Sequence, residues 1–251
     1  MDVPYVQEIV RRDPLQVPQR YVRSQEEMEN VKDMSHLSSE IPVIDLSKLS
    51  SGSMEELKKL DIACKDWGFL QLVNHAVPKE VLQQMKVAAA EFFELPLEEK
   101  NKYSMTSNDS QGYGHGFVVP KEQKLDWSDA ITLVVFPKEY RKLDYWPDTP
   151  RGFRDIIDSY SRHVKSVAEE LLRSLSIIMG MQKDALLGKQ KESAQAFRLN
   201  YYPPCNMPDQ VLGLSPHSDT STITLLMQEG NVHGLEIRHK GDWVPVKLQM
   251  L

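Results

Sequence analysis

Cysteine is almost missing: Cys64 and Cys205 are the only two in 251 residues. One pair so far apart is no disulfide framework, which excludes the stapled secreted scaffolds and points to a reducing compartment. Long apolar runs are lacking as well. Stretches such as Ile131 to Phe136 fall far short of the ~20 residues that cross a bilayer, and the opening MDVPYVQEIVRRDP has no apolar core of a signal peptide. Neither sign of charge dominates. The 30 Lys and Arg face 36 Asp and Glu, a net charge of −6 with the signs interspersed. A broad nucleic-acid surface needs clustered bases, so it is excluded. Internal repeats and low-complexity tracts are absent too. These absences leave a cytoplasmic protein of ordinary composition, 41% apolar and 26% charged, with no membrane and no nucleic-acid partner expected.

What is present has a clear order, helices first and strands later. Residues 1–40 are polar with scattered apolar anchors and no clear core face, and are expected to form an arm or a short helix on the body. Ile41 to Leu46 reads as a short strand with Pro42 near its start. Ser53 can cap a helix whose apolar face is Leu57, Leu60, Cys64 and Trp67, ended by Gly68, with Phe69 to Val73 a strand beyond it. Pro78 opens a second helix striped by Val81, Leu82, Met85, Ala88, Ala89, Phe92 and Phe93, and Pro96 stops it. Residues 104–118 read as a loop and Ile131 to Phe136 as a buried strand. The strongest periodicity predicts a long helix over 152–179. After Gly188, Phe197 to Tyr202, Ser221 to Met227, Leu235 to Arg238 and Trp243 to Val246 read as short strands, the spacing of a sandwich or barrel. The expected class is α+β, divided as an arm (1–40), a helical domain (41–150), a scaffold helix with linker (151–190) and a β-rich part (191–251).

Two groups of residues could carry chemistry. In an extended segment residues i and i+2 share a side, so His217 and Asp219 of His217-Ser218-Asp219 could both reach one ion. An imidazole and a carboxylate are two-thirds of the facial triad of non-haem Fe(II) oxygenases. The motif is cheap by itself: with seven His in the chain, His-x-Asp arises by chance in about one chain of two. Asn200 and Tyr202 alternate onto one face and could hydrogen-bond a carboxylate. The bland alternative is a strand end broken by Pro203-Pro204. Tyr113, Phe117 and Phe136 could line a pocket, though aromatics at such positions are more often plain core.

Ten short blocks in register make a stronger signal. They are Ile41 to Leu46; Trp67-Gly68-Phe69 followed by Asn74-His75; Phe92 to Pro96; Gly112-Tyr113-Gly114; Asp126-Trp127-Ser128-Asp129; Trp146-Pro147; Asn200 to Cys205; His217 to Thr220; Gly234-Leu235; and Trp243 to Val246. In this order they resemble the plant 2-oxoglutarate- and Fe(II)-dependent dioxygenases, most of all the branch with alkaloid O-demethylases, senescence-related proteins and flavonoid oxygenases. The resemblance implies a helical N-terminal domain and a double-stranded β-helix, or jelly roll. It implies that His217 and Asp219 bind Fe(II), and that Tyr202 and, less directly, Asn200 line the 2-oxoglutarate pocket. It makes Cys205 packing behind that wall and Asn74-His75 structural. Ascorbate would support turnover, and a small plant specialised metabolite would be hydroxylated, desaturated or O-demethylated.

The resemblance also implies a second His roughly fifty residues beyond the Asp, and an Arg-x-Ser clamp further on. Only 32 residues follow Asp219. The expectation is therefore a C-terminally truncated product with a partial jelly roll. His233 is a weak substitute ligand, and His239 reads as part of an exposed hairpin turn. The alternatives are an inactive product that binds a partner or homologue, or self-associates, through an open sheet edge, and a relative that uses ascorbate in place of 2-oxoglutarate.

Overall fold

The structure is a computed structural model that describes residues 4–28, 34–106, 109–114, 123–189, 194–229, 232 and 234–247. Its helices are α1 (Val6–Arg12), α2 (Gln25–Met28), α3 (Leu46–Ser50), α4 (Met54–Ile62), α5 (Lys79–Glu94), α6 (Leu97–Asn101), α7 (Phe153–Ile178) and α8 (Ala185–Lys189). Its strands are β1 (Val43–Asp45), β2 (Gln71–Val73), β3 (Gly112–Tyr113), β4 (Asp129–Phe136), β5 (Gln195–Tyr201), β6 (Glu236–His239) and β7 (Asp242–Pro245). Helix and sheet content are thus both present, as the α+β reading expects. Among the described residues no helix is long and apolar enough to cross a membrane.

The chain divides into two compact units. The first holds Met1–Glu29, Glu80–Ser161 and Glu192–Thr220. Its centre is the antiparallel sheet β3-β4-β5, in register from Asp129↔Tyr201 to Thr132↔Arg198. The β-branched and apolar run DAITLVVF suits a strand with one face in the core: Ile131, Leu133 and Val135 are buried, while Thr132 and Val134 on the other face are partly buried. The apolar stripe read for α5 is borne out at Met85, Ala88, Phe92 and Phe93, all buried. Phe92 stacks on Phe153 of α7 at 5.4 Å and Phe93 on Tyr201 of β5 at 5.1 Å.

The N-terminal arm needs correcting. It carries a short helix, but it does have a core face. Val6 and Tyr21 are buried with Leu125, Trp127 and Val211, and Ile9, Val10, Val17 and Cys205 pack around them. These anchors are divided between one helix and a turn, so no single period runs through them. The fastening is polar. The buried Asp129 carboxylate accepts the Val6 and Gln7 backbone N–H groups, both at 2.8 Å, and so satisfies the orphan donors that open α1. Fully buried Lys100 donates to Gln7 Oε1 and to the Phe93 carbonyl. Burial, chiefly, lowers its pKa to about 8.

The second unit holds Asn30–Lys79, Arg162–Lys191 and Ser221–Leu251. Its parallel pair β1-β2 runs from Val43↔Gln71 to Asp45↔Val73. Ser53 caps α4 as expected, and a π-helical turn over Ala63–Trp67 ends at Gly68, whose φ of 62° is the left-handed conformation that glycine tolerates. The hairpin β6-β7 turns at Lys240-Gly241, both with positive φ (51° and 97°).

Two expectations fail in this unit. His239 is not in the exposed turn. It ends β6, is buried, and stacks on Trp67 with ring centroids 3.8 Å apart. The aromatic partner lies far off in sequence, so local pattern gave no sign of it. Ser221 to Met227 forms no strand. A strand needs a ladder partner, and no described strand pairs with this segment; Ser221 Oγ bonds locally with Thr224 Oγ1 at 2.8 Å.

Candidate metal centre and its surroundings

His217 and Asp219 lie in the first unit, on the extended segment after β5. The structure brings them together: His217 Nε2 is 3.3 Å from Asp219 Oδ1, with the side chains 52% and 46% exposed. On its other side, His217 Nδ1 lies 2.9 Å from the Ser215 carbonyl oxygen. A carbonyl only accepts, so Nδ1 carries the proton and donates. Nε2 then presents a lone pair toward a carboxylate oxygen. Two lone pairs facing one another at this distance need a cation between or beside them, either a proton or a metal ion.

The pair fits Fe(II) in chemistry: one imidazole nitrogen and one carboxylate oxygen, with the imidazole's second nitrogen held by a backbone carbonyl, as in metal-binding histidines generally. Donors about 2.1 Å from a shared ion, in adjacent positions, stand about 3 Å apart. Among the described residues there is no group of three or more His, Cys, Asp or Glu that could hold a metal. The fit is therefore to two positions of a facial set. His233 lies outside the described residues, and the His239 ring is engaged by Trp67.

The proposed co-substrate residues sit on β5 and just past it. The exposed face of the strand carries Ala196, Arg198 and Asn200; Tyr202, one residue beyond, is also half-exposed. Asn200 Oδ1 accepts from Arg198 Nε at 2.7 Å, which orients the amide and leaves its N–H₂ group free to donate outward. The Tyr202 pKa is raised, mainly by desolvation, with Arg198 pulling the other way. The phenol therefore stays a neutral donor. Gly213 packs directly against this ring: a Cβ placed there would come within 2.9 Å of Tyr202 Cδ1. The close approach explains why a glycine stands four residues before His217.

Of the three aromatics weighed as pocket wall, Tyr113 is core, Phe136 is partly exposed at the end of β4, and Phe117 lies outside the described residues. Cys205 packs against the Val6–Trp127 cluster. Sequence reasoning missed Gly213, Arg198 and the partners of Ser215. Only Arg198 carried a local signal, being in step with Asn200 and Tyr202.

Comparison with known proteins shows the family. Residues 41–149 match the family of the N-terminal domain of non-haem dioxygenases in morphine synthesis, and residues 193–250 match the 2OG-Fe(II) oxygenase superfamily. Protein SRG1 of Arabidopsis thaliana is 45% identical over 98% of this chain and 70% of its own length. The oxoglutarate-dependent flavonoid 7-O-demethylase 1 of Ocimum basilicum is 44% identical over 98% of this chain and 66% of its own length. The crystal structure of JOX2 with 2OG, Fe and JA superposes with a TM-score of 0.89 at 31% identity, covering 99% of this chain and 71% of that one. The chain belongs to the plant 2-oxoglutarate- and Fe(II)-dependent dioxygenases, whose cofactor is Fe(II) and whose co-substrate is 2-oxoglutarate.

Proposed function

We propose that His217 and Asp219 hold the iron of a dioxygenase acting on a small plant specialised metabolite by hydroxylation, desaturation or O-demethylation. The observation that carries this reading is the 3.3 Å approach of His217 Nε2 to Asp219 Oδ1, with Nδ1 engaged by Ser215. The iron, when bound, supplies oxygen activation coupled to the breakdown of 2-oxoglutarate to succinate and CO₂. The residues bind and orient. The imidazole lone pair and the carboxylate provide one neutral and one anionic donor, which leaves positions on the ion for other groups. The Asn200 amide and the Tyr202 hydroxyl donate to a carboxylate of the co-substrate. The demethylase activity in the name of the Ocimum relative supports O-demethylation as one candidate outcome. In this reading residues 41–150 form the helical domain, 151–190 the scaffold helix and linker, and 191–251 the first half of a jelly roll. Ascorbate supports turnover by keeping iron reduced.

The test is an anaerobic titration of the chain with Fe(II) and 2-oxoglutarate, following the weak metal-to-ligand charge-transfer band of an iron-chelated 2-oxo acid. The expected result is a band that saturates at one iron per chain and is lost in His217→Ala. No band at any ratio would contradict the reading.

A second reading rests on β5. In the order β3-β4-β5 it is a terminal strand, with no ladder partner on its outer side among the described residues. Open edges pair with other strands, so the chain would bind a second copy or a homologue there. Light scattering that reports a dimer, abolished by Ala196→Pro on the edge, would favour it. A monomer at every concentration tested would remove it.

A further inference from the structure

The segment that delivers His217 is tied down at three points, all by residues remote in sequence. The Arg23 backbone N–H donates to the Gln210 carbonyl at 2.8 Å, and the Trp127 N–H to the Leu212 carbonyl at 2.7 Å. The third tie is a closed triangle of side chains. Arg23 Nη2 reaches Asp126 Oδ1 at 2.8 Å and Ser215 Oγ at 2.9 Å, with the Leu125 carbonyl at 3.2 Å. Ser215 Oγ in turn donates to Asp126 Oδ1 at 2.5 Å. The hydroxyl accepts from the guanidinium and donates to the carboxylate, so its hydrogen-bonding capacity is directed on both sides and its rotamer is fixed. The Arg23 side chain is only 8% exposed, so little water competes for these bonds.

The next group along is the metal centre. The carbonyl of this same Ser215 takes the Nδ1 proton of His217 at 2.9 Å. If Ser215 moved, that carbonyl would move, and the ring would be free to carry its proton on either nitrogen. We infer that Arg23 and Asp126, through Ser215, are positioning residues for His217: they hold its imidazole in the Nδ1-protonated tautomer that leaves Nε2 open to the metal. This rests on the reading of His217 as an iron ligand. It gives the N-terminal arm a part in the site, because Arg23 lies on the arm and Asp126 just before β4. Partners that orient a metal-binding histidine change affinity by roughly 10–100-fold when removed.

The experiment compares the wild type with Arg23→Ala, Ser215→Ala and His217→Ala. ¹⁵N NMR of the histidine side chains, above the pH at which imidazole titrates, reads the tautomer without any metal. Co(II) titration reads affinity, and far-UV circular dichroism checks folding. Ser215→Ala deletes one hydroxyl and keeps the informative comparison if Arg23→Ala does not fold. The expected result is an Nδ1-protonated His217 in the wild type, a mixture of tautomers in both variants, and Co(II) affinity about 10–100-fold weaker. Folded variants with the wild-type tautomer and affinity would overturn the positioning role and leave the metal reading intact. Equal Co(II) behaviour in His217→Ala and the wild type would sink both.

Discussion

Asp129 and Asp219 are carboxylates of the same compact unit with opposite surroundings. Asp129 is buried and takes two backbone N–H groups at 2.8 Å. Asp219 is 46% exposed, and the contact found for it is the imidazole nitrogen of His217 at 3.3 Å. A buried carboxylate is stable only when donors replace its water, and Asp129 has them from the helix it caps. An exposed carboxylate beside an imidazole lone pair has bonding capacity left over. One acid closes a structure, and the other is the one proposed to take a cation. His239 and His217 repeat the contrast: one ring is buried and covered by Trp67, and the other is half-exposed with Nε2 turned toward Asp219.

The comparison can be broken most severely at its buried end. Asp129→Ala leaves the first N–H groups of α1 without partners, and bonds to a charged acceptor contribute about 1.5–3 kcal/mol each. A loss of about 3 kcal/mol is expected in urea denaturation, with the N-terminal arm becoming protease-sensitive. A variant as stable as the wild type would show that the arm is not held by this carboxylate. Gly213→Ala comes next. Its methyl group would press on the Tyr202 ring, and overpacking of this kind costs about 1–3 kcal/mol. Weaker 2-oxoglutarate binding at unchanged Co(II) affinity is expected; unchanged binding of both would detach Tyr202 from the co-substrate.

The mildest effect is a pH slope. Lys100 has a pKa of about 8 in place of the ordinary 10.5. Between those values the unfolded chain holds a proton that the folded chain does not, so stability rises with pH across that window. Below about pH 8 the cost of burying the charge is present in full. Denaturation at pH 7.5 and 9.5 should show the rise in the wild type and its absence in Lys100→Met. Equal slopes would mean that Lys100 is not the group responsible.

The helices α4, α5 and α7 were readable because each carried its own evidence, whereas short ones such as α3, α6 and α8 carried too few turns to show a period. Ser53, Gly68 and the stripe from Met85 to Phe93 are local signals, and the structure keeps them. His217 and Asp219 were readable as a pair because two positions on an extended chain share a side. What could not be read depends on partners distant in sequence. Nothing around Arg23 announces Asp126 or Ser215, 103 and 192 residues away. Nothing around His239 announces Trp67. Ser221 to Met227 had a strand's composition, but composition does not supply a neighbour to pair with.

The most direct test sets the two carboxylates side by side, with Asp219→Asn and Asp129→Asn measured for Co(II) binding and thermal stability. Asp219→Asn should lose the Co(II) absorption and melt with the wild type, while Asp129→Asn should keep the absorption and melt earlier. Undiminished Co(II) binding in Asp219→Asn would contradict the account at its centre.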